Sequence, residues 1–370
     1  MYKRQDVHAF DLALNNLEKR EAKKEEKLDD VDDGGKPPAI AVLPFKNLSN
    51  DEEQEYFADG ITEDIIANLS LWKTFPVISR NSSFSFKNST EKSDVISKAL
   101  GARYLVEGSV RKAGNKVRIT AQLTSADDDK QIWSKRWDRS LEDIFEVQDE
   151  VSRDVAALIS PALKDQEQVK LSTKGKKNFG AWDEYLQGLN IYNTENFAGS
   201  TSGDKVIEHC KRAIELDANF CDAYVLYCNV LQGMIYSHEH QDNREENTKL
   251  FHQMAQKAVD TDPENPDAMS SLSMSYSIKK DLNKRLETAE KALELNPSHP
   301  RSNFSYGQAL TNFGRNEEAL SYVNKAIEMD PQSKKNYEGF FPLLYIALKD
   351  WENAITWLNT AHERSPHSRY

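Results

Sequence analysis

One phrase occurs three times in the second half of the chain, as Ala258–Pro263 (AVDTDP), Ala292–Pro297 (ALELNP) and Ala326–Pro331 (AIEMDP). Successive copies begin 34 residues apart, and each has a small and an aliphatic residue before an acidic residue and a proline. Because proline removes a helical hydrogen bond and restricts the residue before it, each copy predicts the end of one helix and a turn into the next. The sequence therefore predicts a stack of helix pairs.

The period and the closing proline resemble those of the tetratricopeptide repeat, a helix–turn–helix unit. An earlier copy lies at Ala213–Asp217 and a later one at Ala361–Pro366, so an all-α solenoid of about five repeats is expected over residues 178–366. The step from the earlier copy to the next is 45 residues, which predicts an insertion of about eleven residues near Ser237–Asp242. The first repeat, around Trp182–Tyr185, departs from the pattern.

Stacked helix pairs expose a concave groove that is lined by the first helix of each pair. Counting back from the repeated alanines gives eight candidate partner-binding residues on this surface: Val225, Asn229, Ser270, Met274, Arg301, Phe304, Gln308 and Asn312. The alternative is that several of them only pack between neighbouring repeats. A protein or peptide segment is the partner that such a groove implies.

Residues 37–165 have a different pattern, which predicts an α/β domain with a mixed sheet. The short apolar run Ile40–Leu43 follows two prolines and predicts a buried strand. Apolar and polar residues alternate in Lys116–Thr124, which faces Tyr104–Lys112 across a three-residue loop containing glycine, so a hairpin is expected. Gln131–Trp137 is expected to be a further strand.

Three helices and one more strand are expected around the hairpin. Thr62 is predicted to cap the first helix. The second, Ser93–Leu100, is expected to end at Gly101, and the third to run over Leu141–Leu163. Phe75–Phe86 is expected to form a strand.

Residues 1–36 form a separate segment. Its apolar residues recur at spacings of three and four, which is typical of a helical seam: Val7, Phe10, Leu14 and Leu17. The following run, Glu18–Asp33, is almost entirely charged and indicates a solvated helix end or a linker. Because so short a seam has no core of its own, we expect either self-association through this helix or a longer protein of which it is the tail.

The composition excludes several functional classes. The chain has 370 residues and a net charge of −12, which opposes binding to nucleic acid phosphates and to anionic membrane surfaces. No run reaches the roughly 18 apolar residues of a membrane span, and the first residues lack the apolar stretch of a secretory signal. The spacing of Cys210, Cys221 and Cys228 fits neither a metal site nor a disulfide framework, so buried thiols on repeat helices are expected.

No motif for catalysis or for a cofactor is found, and neither is expected of this chain. His238 and His240 are of a type that binds metal, but they lie in a polar insertion without a third ligand, which favours a solvated loop. Asp127–Asp129 lacks the other residues of a calcium loop and is interpreted as a hairpin turn.

The α/β part also resembles a known family. Six motifs stand in the order found in the TolB-like (FlgO-related) domain: IAVLPF at 40–45, YFADGITED at 56–64, EGSVR at 107–111, VRITAQL at 117–123, WSKRWDR at 133–139 and DIFEVQDE at 143–150. That domain commonly precedes tetratricopeptide repeats in bacterial signalling proteins. The resemblance therefore implies a bacterial source and an accessory or sensory role.

The resemblance is densest at five residues: Tyr56, Asp59, Gly60, Glu107 and Gly108. We expect them to have a structural role, with the two glycines needed for backbone geometry. The alternative is a ligand pocket between the helix and the sheet.

These features favour a non-catalytic module for protein–protein interaction and regulation in a bacterial signalling protein. Two alternatives stay open. In the first, the chain would be the C-terminal regulatory part of a class III adenylate or guanylate cyclase. In the second, it would be the sensory part of a CadC-type transcription regulator. The cytoplasm is the favoured location, and the periplasm applies if the chain follows an upstream membrane span.

Overall fold

The computed structural model describes residues 38–49, 51, 54–72, 75–126, 130–159, 178–194, 200–236, 243–332, 337 and 339–364. We call residues 38–159 the sheet region and residues 178–364 the repeat region. Several expectations lie outside the described residues: those for the segment 1–36, the turn 127–129, the insertion 237–242 and the chain beyond 364.

A mixed sheet of five strands forms the centre of the sheet region. Its strands are β1 (Ile40–Val42), β2 (Lys46–Asn47), β3 (Tyr104–Ala113), β4 (Lys116–Ser125) and β5 (Lys130–Ser140). Both β1 and β2 run parallel to β3, whereas β3, β4 and β5 are antiparallel neighbours. The expected mixed sheet is confirmed, with β5 at the edge opposite β1.

The hairpin between β3 and β4 is also confirmed, but its loop is shorter than expected. Ala113 pairs with Lys116, so only Gly114 and Asn115 form the turn. Gly114 has a φ of +57°, a left-handed conformation that glycine adopts without steric cost. The short loop fixes the register of the two strands.

Four helices accompany the sheet: α1 (Glu55–Leu69), α2 (Arg80–Phe84), α3 (Ser93–Leu100) and α4 (Ile144–Ile159). Helices α1 and α4 contact each other over the face on which β4 buries its apolar side chains, and α3 packs against β3. As expected, α3 ends at Gly101, with a φ of +65°. A single 3₁₀ turn, Leu141–Asp143, precedes α4.

The predicted cap at Thr62 is wrong. The helix begins at Glu55, and Thr62 lies in its middle with its hydroxyl donating to the carbonyl of Ala58 at 2.9 Å. The same hydroxyl accepts from the backbone N–H of Phe45 at 3.0 Å. Thr62 therefore ties α1 to the chain after β1 instead of capping it.

The predicted strand at Phe75–Phe86 is also wrong. Only Val77 forms a bridge, with Ile40, and the chain then enters α2. The side chain of Ser79 accepts from the backbone N–H of Ser82 at 3.1 Å, so Ser79 caps the helix that replaces the strand.

The described part of the repeat region contains five helix pairs. Their helices are α5 (Phe179–Thr194), α6 (Ser200–Leu216), α7 (Cys221–Tyr236), α8 (Arg244–Thr261), α9 (Pro266–Ile278), α10 (Leu282–Leu295), α11 (Pro300–Thr311), α12 (Asn316–Met329), α13 (Phe341–Ala347) and α14 (Trp351–Arg364). The helices α8, α10 and α12 each end shortly before the proline of the repeated phrase, as predicted.

Small residues let the two helices of a pair approach closely. A β-carbon added at Gly307 of α11 would lie 2.8 Å from Cγ2 of Val323 and 3.0 Å from the carbonyl oxygen of Ala319 on α12. Ala319 and Ala326 are fully buried in the same contact layer. The repeat spacing of small residues therefore sets the distance between the helices.

Replacing Gly108 by alanine is expected to lower the free energy of unfolding by about 1–3 kcal/mol. The added methyl group would lie 2.4 Å from Cε2 of Phe45 and 2.5 Å from the carbonyl oxygen of Thr120 on the neighbouring strand. Urea unfolding followed by circular dichroism measures the loss. Gly233→Ala is the matched control, since nothing lies within 4 Å of its added methyl group, and a change within about 1 kcal/mol is expected. Equal losses in the two variants would contradict this account.

Candidate partner-binding groove

The first helices of successive pairs lie side by side. Helix α9 contacts the first helices α7 and α11, and it also contacts the second helices α8 and α10. In a helix-pair solenoid this arrangement makes the first helices the inner layer, whose free faces form the concave surface.

Left-handed residues mark equivalent positions in three repeats. Lys280, Gly314 and Lys349 have φ values of +61°, +72° and +58°, and each lies in the turn between the two helices of its pair. The residues six positions earlier in the chain are therefore also equivalent to one another: Met274, Gln308 and Leu343. Met274 and Gln308 are partly exposed, and Leu343 is 67% exposed.

The eight residues predicted to line the groove differ in exposure. Val225 and Ser270 are only 9% and 2% exposed, and the hydroxyl of Ser270 donates to the carbonyl of Pro266 at 2.8 Å. The side chains of the other six reach the surface in part or fully: Asn229, Met274, Arg301, Phe304, Gln308 and Asn312. A bound partner can therefore touch six of the eight without a change of structure.

Arg301 is fixed across two repeats. Its guanidinium donates to Oδ1 of Asp267 at 3.3 Å and to the hydroxyl of Ser271 at 3.0 Å. His299 stands 3.3 Å from the other carboxylate oxygen of Asp267. Burial raises the pKa of Asp267, but His299 and Arg301 outweigh it and hold this pKa well below its usual range. The charge of Arg301 is therefore balanced by Asp267 within the cluster.

Phe304 belongs to an aromatic cluster that joins the fourth repeat to the fifth. Its ring meets those of Tyr337 and Phe340 edge-on, with centroids 4.8 and 5.6 Å apart. One turn later on α11, the side-chain oxygen of Gln308 is buried and has no hydrogen-bond partner among the described residues. Arg301 and Phe304 thus support the fold as well as the surface.

The sheet region packs against the inner face of the first repeat. Gly188 and Gly307 mark equivalent crossings, because an added β-carbon at either would press on the second helix of its own pair. Counting from them, four residues of α5 correspond to Arg301, Phe304, Gln308 and Asn312: Trp182, Tyr185, Leu189 and Asn193. All four face α1 or α2 of the sheet region.

The contact between α1 of the sheet region and α5 of the first repeat combines close packing with polar pairs. A β-carbon at Gly60 of α1 would lie 2.3 Å from Leu186, so the two helices cross where α1 has no side chain. The indole of Trp182 donates to Asp64 at 2.9 Å, and the hydroxyl of Tyr185 stands 3.5 Å from Glu63. Gly60 therefore has the structural role expected of it, but through close approach rather than an unusual backbone angle.

A small opening remains beside this contact. It is lined by residues of α1, α2 and α5, among them Tyr56, Asp59, Arg80, Leu189 and Asn193. The pocket considered from the sequence would have lain between helix and sheet, whereas this opening lies between the sheet region and the first repeat.

A second contact joins the sheet region to the third and fourth repeats. The amide of Asn296 donates to the carbonyl of Ser70 at 2.9 Å. Asp330, which is 2% exposed, accepts from the hydroxyls of Ser79 and Ser82, the latter at 2.7 Å, and from that of Tyr337 at 2.9 Å. These loops connect one repeat to the next, so the sheet region lies along that edge of the groove.

Sequence reasoning did not find these contacts. In the sequence, the first repeat is irregular around Trp182, and Asn296 and Asp330 are loop residues before a proline. This irregularity was the one sequence feature that could have indicated the contact. Trp182 and Tyr185 bond to the sheet region and do not line an open groove.

Glu63 carries the most unusual ionisation at this contact. Burial raises the pKa of its carboxyl to about 7, against the attraction of Arg80, whose Nε stands 2.9 Å away. The nearby carboxylates of Asp64 and Asp222 raise it further. Glu63 of the folded protein therefore gains and loses its proton near neutral pH.

The three cysteines are buried thiols on repeat helices, as expected: Cys210, Cys221 and Cys228. Burial raises the pKa of Cys228 to about 12. Over the described ranges, no helix combines the length and the apolar character needed to cross a membrane. The same residues contain no group of three or more His, Cys, Asp or Glu side chains that could hold a metal ion.

Residues 266–299 and 300–333 match the family model of the tetratricopeptide repeat, so the third and fourth helix pairs are repeats of that type. The chain is 36% identical over 253 residues to a protein of Rhizobium meliloti (strain 1021) named "Putative adenylate cyclase 3". The alignment covers 68% of this chain and 42% of that protein. The chain thus spans less than half the length of this relative.

Three solved structures are similar to parts of the chain. YrrB, described as a tetratricopeptide repeat protein with an unusual peptide-binding site, is 21% identical with a TM-score of 0.32, covering 56% of this chain and 92% of its own. TTC0263 of Thermus thermophilus is 14% identical with a TM-score of 0.37, covering 57% and 94%. TolB of Acinetobacter baumannii is 17% identical with a TM-score of 0.27, covering 34% and 29%.

Replacing Glu63 by glutamine is expected to remove a pH dependence of stability. The folded protein holds a proton on Glu63 up to about pH 7, whereas the unfolded chain releases it at about pH 4.3. Stabilisation by the raised pKa is full below the unfolded value and is lost as the pH rises through about 7. Between about pH 5 and pH 8, wild type should lose on the order of 2 kcal/mol of unfolding free energy relative to Glu63→Gln.

Urea unfolding at several pH values measures this difference. Glu142→Gln, at an exposed position before α4, is the control and should follow the wild-type pH profile. Parallel profiles for wild type and Glu63→Gln would contradict the assignment.

Proposed function

We propose that the chain is a non-catalytic protein–protein interaction and regulatory module of a bacterial signalling protein, with a partner segment bound in the groove of the repeats. One observation carries the proposal. In the second to fourth repeats, the inner faces carry side chains that are partly or fully exposed, whereas at the equivalent positions of the first repeat Trp182 and Tyr185 bond to the sheet region. A surface of this kind suits an elongated protein segment.

The groove offers two kinds of contact. Asn229 and Asn312 present amides, which donate and accept hydrogen bonds and so suit a polypeptide backbone. Met274 presents a flexible apolar side chain that adapts to different partners. Arg301 is already paired with Asp267, so its charge is not the main attraction.

A second candidate is the regulatory part of a class III adenylate or guanylate cyclase. It is favoured by the relative named as an adenylate cyclase, of which this chain matches 42%. In that case the catalytic domain lies elsewhere in a longer protein. An open reading frame that continues upstream of Met1 into a cyclase domain would support this candidate, and a stop codon there would contradict it.

On either hypothesis we assign the sheet region to the TolB-like type and the module to the cytoplasm. The assignment of type is supported by the six sequence motifs, two of which lie at close contacts: YFADGITED contains Gly60, and EGSVR contains Gly108. The sensory part of a CadC-type regulator, with a periplasmic location, remains the third hypothesis.

The groove is tested with the full chain as bait in a bacterial lysate, with bound proteins identified by mass spectrometry. The variant Asn229→Ala, Met274→Ala, Asn312→Ala should retain at least about tenfold less of a specific partner than wild type. These three residues are chosen because they are surface-accessible, whereas Arg301 and Phe304 also hold neighbouring repeats together.

The matched control is Lys211→Ala, Arg212→Ala, Glu215→Ala, which changes three exposed residues of the second helix α6. It should retain the partner as wild type does. If both variants retain the same proteins as wild type, the groove is not the binding surface.

A further inference from the structure

The three long strands of the sheet are basic, although the chain as a whole is acidic. Strands β3, β4 and β5 carry eight lysine and arginine residues and only two acidic residues, Glu107 and Asp138, whereas the net charge of the chain is −12. Salt screens exposed charges beyond about 8 Å at physiological ionic strength. A ligand in contact with these strands therefore responds to their positive charge rather than to the net charge of the chain.

The face of the sheet that points away from α1 and α4, which we call the outer face, has more cations than carboxylates. Arg111 pairs in register with Arg118, and Arg118 with Asp138, so these side chains share the outer face with Arg136, two residues before Asp138. Arg118 and Arg136 both contact the carboxylate of Asp138, at 2.6 and 3.5 Å. Arg111 donates instead to the neutral carbonyl oxygen of Leu48 at 3.0 Å. Within this group, one carboxylate stands against three guanidinium groups.

Strand β5 forms an edge of the sheet next to this group. Among the described residues, β5 pairs with β4 only. An edge strand directs the N–H and C=O groups of alternate residues away from its sheet, where another extended chain can pair with them. The register is irregular at Ile132 and regular from Trp133 to Ser140. The edge therefore offers eight regular residues, a length of about 26 Å.

Charge determines which strand can pair with this edge. On the side of α4, the carboxylates of Asp154 and Glu150 already contact Lys135 at 2.8 Å and Arg139 at 3.8 Å. On the outer face, the side chain of Arg136 is 64% exposed. The β5 strand of a second copy would bring further cations to these positions, and like charges opposite each other are unfavourable. An acidic strand would instead bring the missing carboxylates.

An extended polypeptide suits this edge better than a nucleic acid does. The edge has both donors and acceptors, and a peptide backbone pairs with both, whereas phosphate oxygens only accept. None of the residues that pair in register on the outer face is aromatic, so bases would find no ring on which to stack. The occupant that fits is therefore a polypeptide with acidic side chains.

We propose that an acidic segment of a partner protein adds to β5 as an extended strand, with alternate carboxylates directed to the outer face. Side chains directly opposite each other on neighbouring strands have their β-carbons about 4.5–5.5 Å apart, which allows an ion pair with Arg136. Acidic residues at every second position are sufficient, because the cations on the side of α4 are already paired. This surface is separate from the groove of the repeats, so its failure would leave the groove proposal unaffected.

The probe is a fluorescein-labelled octapeptide in which glutamate alternates with threonine, and fluorescence anisotropy measures its binding to the full chain. It should bind, whereas the same peptide with glutamine in place of glutamate should not, because it lacks the carboxylates. Two further peptides carry N-methyl groups on the glutamate or on the threonine nitrogens. At least one of them should lose binding, because alternate N–H groups donate to β5. No binding of the unmodified peptide, or equal binding of all three glutamate peptides, would overturn strand addition.

The receiving residues are tested with Arg118→Gln combined with Arg136→Gln, which should weaken binding of the glutamate peptide at least about fivefold. The matched control is Lys211→Gln with Arg212→Gln, which removes the same number of charges from exposed residues of α6 and should bind as wild type does. Circular dichroism checks that both chains are folded. Equal weakening in the two variants would show that only the net charge matters and would overturn the assignment to β5.

Two measurements address the other occupants. A fluorescein-labelled oligothymidylate of the same length should bind more weakly than the glutamate peptide, and tighter binding that is lost with Arg118→Gln and Arg136→Gln would assign the surface to nucleic acid instead. In analytical ultracentrifugation, wild type and this variant should have the same mass. A wild-type dimer that the variant does not form would identify a second copy as the occupant and would overturn the proposal.

Discussion

The close crossing of α1 over α5 at Gly60 is the contact on which the arrangement of the molecule depends. A side chain at this point would overlap Leu186, so the two helices could not approach. Their approach brings Asp64 to the indole of Trp182 and lets Trp182 pack against Phe57 at a centroid distance of 5.5 Å. The apolar core of the sheet region is continuous with the first repeat through this tryptophan.

This contact determines which part of the solenoid remains available. The inner face of the first repeat is used within the molecule, and the loops at Asn296 and Asp330 are bonded to the sheet region. The inner faces of the later repeats carry side chains that reach the surface on the side of the turns inside each pair. A groove that would be symmetrical in a free-standing solenoid is therefore one-sided here.

The sequence predicted the features that arise from neighbouring residues. The six-residue phrase that recurs every 34 residues predicts the helix pairs because proline and small residues act locally. Gly101 and Gly114 mark a helix end and a turn for the same reason. The hairpin follows from alternation along β4. These parts of the fold could be predicted without any knowledge of distant contacts.

The errors occurred where a distant residue determines the conformation. Thr62 has the side chain of a helix cap, but its partner is the N–H of Phe45, so the helix continues through it. The segment after Phe75 has strand-like residues, but Ser79 donates its backbone N–H to the carbonyl of Met329 and caps a helix. The inter-region pair of Asp64 and Trp182 is 118 residues apart, and no local pattern encodes it. For the candidate site, periodicity gave the helix face, while the exposure of each residue depended on tertiary packing.

The bonds of Asp330 to Ser79 and Ser82 have a mechanical consequence. A solenoid changes its curvature through small rotations between neighbouring repeats, which add up along the stack. Here the sheet region is attached to the first repeat at Trp182 and to the fourth at Asp330, so it acts as a strut across the arc. Flattening or tightening the arc would strain one of the two attachments. The curvature of the repeats and the position of the sheet region therefore change together or not at all.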